Sequence, residues 1–241
     1  MFSIFKKEIT LFFSSLIAYI SIGVFLTITG IFLWVLPDNI LANGYASLDM
    51  LFSIGPIVFL FLIPAITMRS FAEEQNTGTI EILSTKPVTD FQIILGKYFA
   101  GLVLVLFSLL PTLIYYYTVN TLAVPAGNVD HGATIGSYIG LLFVGAAYLS
   151  LGIFASSITD NQIVAFILGL ILCFFFFMLL DLLPQMAIFA SADWIFSMFS
   201  IQSHYQSISR GIVDTRDLVY FLSFITVFLF LTRTILQRRR W

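Results

Sequence analysis

Glu73 and Glu74 stand side by side in a polar stretch, RSFAEEQNTGTIEILSTKPVTD, that runs from Arg69 to Asp90 between two strongly apolar runs. Glu81 and Asp90 bring the stretch to four carboxylates, and Arg69 and Lys86 supply two cations. Two kinds of chemistry fit such a segment. Paired glutamates can activate water for hydrolysis. A charged, well-terminated segment can also be a handle gripped by a separate subunit.

The hydrolytic reading lacks its other parts. The paired glutamates of intramembrane CAAX-type proteases go with an arginine at the position that is Gly78 here, and with histidines inside later spans. His131 and His204 lie far apart, without ligand spacing, and read as loop histidines. Cys173 is a single cysteine in an apolar run, which excludes a disulfide framework and a cysteine metal site. There is no HExxH motif. Gly96-Lys97 lacks the upstream glycine and the following Ser or Thr of a nucleotide-binding loop. The expectation is a chain that binds no metal, cofactor or nucleic acid of its own and is not an enzyme.

The elements that must position this stretch are membrane helices. The chain has 241 residues, of which 59% are hydrophobic and 10% charged, with a mean hydropathy of +1.01. That composition defines an all-α polytopic membrane protein, read as a single membrane domain over 1–241. Residues 1–13 put Phe2, Phe5, Ile9 and Phe12 on one helical face, largely opposite Lys6, Lys7 and Glu8. This predicts a helix lying in the membrane interface. Six spans follow, at about 15–36, 50–68, 91–117, 135–156, 162–183 and 218–236, since about 20 apolar residues cross a bilayer.

Pro56, Pro64 and Pro111 predict bends. Gly136 and Gly140 form a GxxxG pair suited to close helix packing or to a dimer contact. The span centres are empty of charge, so an ion-coupled carrier is disfavoured. Any transport must be driven from elsewhere. Residues 184–217 are too polar and broken to cross, and read as a short re-entrant or interfacial helical pair. Asp181 reads as an interfacial carboxylate.

Six spans place both termini on one side. With the termini in the cytoplasm, Lys6, Lys7, Arg69, Lys86, Lys97, Arg233, Arg238, Arg239 and Arg240 lie inside, and Arg210 and Arg216 outside. The positive-inside rule selects this orientation, which makes 69–90 cytoplasmic and 184–217 external. Within 69–90, Gly78-Thr79 can open a short helix with Glu81 in its first turn, where the helix dipole favours a carboxylate. Pro87 ends it, and Thr89 or Asp90 can cap the third span. Lys97, in that span's first turns, is expected to snorkel to the headgroups.

The run Phe71-Ala72-Glu73-Glu74, then Gly78-Thr79-Ile80-Glu81-Ile82-Leu83-Ser84, then Pro87-Val88-Thr89 resembles the signature between the second and third spans of ABC-2-type transporter permeases. The six-span plan extends that resemblance over the whole chain. Within the family the short length and small loops are most similar to the permease subunit of the gliding-motility ABC transporter of Bacteroidetes. A similar permease serves copper-site maturation of nitrous oxide reductase.

The resemblance implies a type V exporter-like fold in the bacterial inner membrane. It implies a coupling helix formed by Glu74, Gly78, Thr79, Glu81, Leu83 and Pro87, which docks on a cytoplasmic ATP-binding subunit that holds ATP and Mg. It also implies a second permease copy, or a sister or auxiliary membrane subunit. The N-terminal helix would match the family's connecting helix, and 184–217 its external re-entrant helices. Gln75-Asn76-Thr77 departs from the basic residues that relatives often carry there. A non-transporting scaffold driven by the same ATPase is the alternative from another class.

Overall fold

Each long apolar run forms a helix, because a helix pairs every backbone N–H and C=O within its own segment, as lipid requires. Among the described residues six helices are long and apolar enough to cross a membrane: Leu16–Trp34, Asp49–Asn76, Asp90–Leu122, His131–Ile158, Gln162–Gln185 and Thr215–Arg238, the first to sixth spans. The computed structural model describes residues 2–37, 39–79, 88–125, 128–186, 193–211 and 214–238. Among these there is no strand. The chain is an all-helical, multi-pass membrane protein.

The fourth span is the axis of the bundle. Its most apolar window is 78% buried, against 28% in the first, fifth and sixth spans, so those three supply the outer, lipid-facing surface. Small residues let the neighbours close on the fourth span. A Cβ at Gly145 would come within 2.7 Å of Val105 in the third span. Outward, the fifth span presents Ile163, Ile167 and Ile171, all exposed.

Thr89 caps the third span with a full capping box: its hydroxyl accepts from Gln92 N and Gln92 returns a bond to Thr89 N. Pro111 sits in a 3₁₀ turn, Leu110–Thr112, that re-forms the same span as Leu113–Leu122. The fifth span widens to a π-helix at Phe175–Leu179.

The N-terminal helix, Phe2–Ser14, is separated from the first span by extended Ser15. It meets the bundle through Ile4 and Glu8, which are buried, while Phe2 is 75% exposed. Gly96 in the third span admits it, since a Cβ there would touch Ile4 Cγ2 at 3.0 Å. The helix thus docks on a stripe that includes a carboxylate, and Glu8 is not on an outward polar face as the sequence pattern implies.

The opposite end carries two short helices, Asp193–Phe199 and Ile201–Ser209. Ile201–Ser209 packs on the fourth and sixth spans. Gly136 and Gly140 receive it: a Cβ at Gly136 would lie 2.6 Å from Ile208 O, and one at Gly140 3.0 Å from the Tyr205 ring. The partner of this glycine pair is therefore a helix of the same chain.

Pro56 has no N–H to give Phe52 C=O, and the Tyr205 hydroxyl donates to that carbonyl at 2.7 Å instead. Both histidines lie on helices and bond within the chain. His204 Nδ1 lies 2.7 Å from Asp217 Oδ1, and Tyr116 OH bonds His131 Nδ1. Asp181 accepts from Ser203 Oγ at 3.2 Å.

Candidate coupling site

The second span does not end where its apolar residues do. Asp49–Thr67 turns at Met68 and continues as Arg69–Asn76. The turn leaves backbone donors without helical partners. Ser156 of the fourth span satisfies them: its hydroxyl oxygen accepts from Phe71 N at 3.0 Å and Ala72 N at 3.1 Å, and its proton goes to Met68 O at 3.0 Å. Gln75 Nε2 donates to Ser157 O at 3.3 Å. Phe71 and Ala72 are fully buried. Thr67 closes against Gly152, where a Cβ would collide with Thr67 Oγ1. The first third of the polar stretch is therefore a rigid part of the bundle, keyed into its central span.

The helix ends on Thr77 and Gly78. Thr77 Oγ1 donates to Glu73 O at 2.8 Å, and Gly78 takes φ +69°, the left-handed conformation that stops a helix. Gly78 thus closes the preceding helix, and Thr79 directly after it is again helical. Thr79 follows, its hydroxyl 3.0 Å from Thr77 Oγ1 and donating to Glu74 O at 3.4 Å. Glu81, Leu83 and Pro87 lie outside the described residues.

A charge cluster joins three elements here. Lys97 Nζ lies 2.9 Å from Glu74 Oε1 and 3.0 Å from Glu8 Oε1. Lys7 Nζ lies 3.1 Å from Glu74 Oε1 and 3.6 Å from Glu8 Oε1. The Lys97 side chain is 3% exposed, Glu8 8%, Glu74 12% and Lys7 48%. Lys97 Nζ also sits 5.2 Å over the Phe71 ring. Burial pushes the Lys7 ammonium toward neutrality, but the carboxylates of Glu74 and Glu8 outweigh it, and its pKa is raised.

Lys97 does not snorkel. It points inward from the third span because two carboxylates on neighbouring helices stand within hydrogen-bond distance.

Of the residues singled out in the sequence, Glu74, Gly78 and Thr79 come together at this end, beside Lys97. Gly136 and Gly140 lie toward the other end of the fourth span. Sequence reasoning missed Glu8, Lys97 and Ser156 as parts of the site. A charge at Glu8, four residues from Ile4 on one helical face, was the available signal for the first. Nothing local marks Ser156. Among the described residues no three His, Cys, Asp or Glu side chains gather as a metal site.

Five spans around a central one, with a polar helical projection anchored to it and a buried charge cluster at one end, define a multi-pass helical membrane protein. The chain matches the family model for ABC-2 family transporter proteins over residues 36–235 and belongs to that family. No curated protein matches it. The matched region takes in Glu74, Lys97 and Ser156 and begins beyond Lys7 and Glu8.

Proposed function

We propose that this chain is the permease subunit of an ATP-driven exporter-type complex. Residues 74–87 dock on a separate ATP-binding subunit in the cytoplasm, where both termini also lie, and ATP and Mg are bound by that subunit. The observation that carries the reading is the anchorage of Arg69–Asn76 to the fourth span through Ser156 and Gln75. A segment continuous with that helix transmits a push into the bundle, whereas a free loop would absorb it. The membrane domain works with a second copy or a sister permease.

Affinity capture of the chain from native membranes tests the docking. Wild type is expected to retain an ATP-binding subunit. Gly78→Pro and Glu81→Lys should release it, and Gln202→Ala, at the opposite end, should not. Retention of the partner with both changes present refutes the docking. The small loops between the spans support placing this permease near the gliding-motility group. Stimulation of ATP hydrolysis by a substrate in liposomes separates a transporter from a scaffold driven by the same ATPase.

A further inference from the structure

Between the N-terminal helix and Arg69–Asn76 lies a cleft of about 400 Å³. Charges of both signs line it, together with an apolar wall of Leu11, Phe12, Ile17 and Ile66. Arg69 and Glu73 line it, both exposed and four residues apart on one helix, yet neither makes an ion pair among the described residues. Glu74 offers a second free acceptor. Its Oε1 takes both lysines, while its buried Oε2 has no hydrogen-bond partner among the described residues. Buried acceptors of this kind call for a donor. Ile66 also borders a narrow apolar crevice with Ile22, Leu62 and Leu104, between the first, second and third spans.

We propose that this cleft binds the headgroup of a phospholipid bearing a primary amine. The phosphate sits on the Arg69 guanidinium, whose planar fork matches it. The ammonium sits between Glu73 and Glu74 Oε2, and its three protons serve both carboxylates. One acyl chain lies along Leu11, Phe12, Ile17 and Ile66. Charge balance points to this class: the two lysines and two glutamates of the cluster compensate each other, and Arg69 and Glu73 add one charge of each sign. The site is therefore complementary to a zwitterion. A choline headgroup has no ammonium proton to donate, and an anionic headgroup without an amine brings nothing to the carboxylates. The site shares Glu74 with the segment proposed to dock on the ATPase, but it is formed by this chain alone and needs no partner subunit.

The test uses the purified full chain in neutral detergent. Its unfolding midpoint is titrated with short-chain phosphatidylethanolamine, phosphatidylcholine and phosphatidylglycerol, and with free phosphoethanolamine. Each variant is referred to its own lipid-free midpoint. The amine lipid is expected to stabilise wild type at the lowest concentration. Arg69→Ala should weaken all three lipids about tenfold, the worth of a charged hydrogen bond. Glu73→Gln should remove much of the preference for the amine over choline, and Leu11→Trp should block the cleft without changing its charge. Equal response of wild type to the three lipids overturns the proposal, as does an unchanged preference in Glu73→Gln. An effect reproduced in full by free phosphoethanolamine identifies a soluble ligand and overturns the lipid assignment. Any of these failures leaves the docking on an ATPase untouched.

Discussion

Lys97 Nζ lies 2.9 Å from Glu74 Oε1 with only 3% of the lysine side chain exposed. The start of the third span is thereby tied to the projection that ends the second, and Glu8 brings in the N-terminal helix through the same ammonium. One buried cation holds three elements at the end of the bundle where the docking is proposed.

Removing that cation leaves two buried carboxylates with only the half-exposed Lys7. Breaking a buried pair from one side costs about 3–5 kcal/mol. Lys97→Met is expected near the lower end, about 3 kcal/mol, because Lys7 remains. Thermal unfolding of the solubilised chain measures it. The triple change Glu8→Gln, Glu74→Gln and Lys97→Met should recover most of the loss, since no buried charge is then stranded. A triple variant as unstable as the single one would show that the lysine serves something else.

Ser156→Ala removes the acceptor for two backbone donors and the donor for Met68 O. Leaving such groups unpaired costs about 1–3 kcal/mol. Hydrogen exchange at the Phe71 and Ala72 amides should accelerate while the helix Ile201–Ser209 stays protected. Protection unchanged at residues 71 and 72 would contradict the anchorage.

Gly152→Ala places a methyl group against Thr67 Oγ1. Overpacking of this kind costs about 1–3 kcal/mol. Thr67→Ala removes the colliding oxygen, so the double variant should regain part of the stability. The comparison is read from the unfolding midpoints of the two single variants and the double.

Tyr205→Phe strands the Phe52 carbonyl that Pro56 cannot serve, at a cost of about 1–2 kcal/mol. Pro56→Ala restores an N–H at the residue four positions on. In that background Tyr205→Phe should cost clearly less. A double-mutant cycle on stability gives the answer, and additive effects would mean that the hydroxyl and the proline are unrelated.

Lys7 provides the pH dependence. Its pKa is raised in the folded chain, so its contribution is fully present below the unfolded value and is lost as pH rises through the folded one. The stability gap between wild type and Lys7→Met should stay constant from pH 7 to about 10 and close only above the ordinary lysine value of about 10.4. The gap itself is expected under about 1 kcal/mol, because the side chain is half exposed and screened.

Much of the architecture was legible before any coordinates. The six apolar runs became six spans, and Thr89 became a cap, because hydropathy and capping are sums over neighbouring residues. The candidate site was legible only in part. Glu74, Gly78 and Thr79 sit in a recognisable local run. Glu8 looked like one more charge on an interfacial helix, and Lys97 like a residue that reaches for headgroups. Both readings used only the element each residue belongs to.

The sequence by itself determined which segments enter the membrane and where the polar stretch begins, since transfer of a helix into lipid depends on that helix alone. The tertiary structure decided that Glu8 meets Lys97, 89 residues away, and that Ser156 holds the turn at Met68, 88 residues before it. It also decided that Gly136 and Gly140 receive the chain's own Ile201–Ser209. Those pairings follow from how helices settle against the fourth span. Each is set by shape and charge on facing surfaces, and no property of one helix contains the face of another.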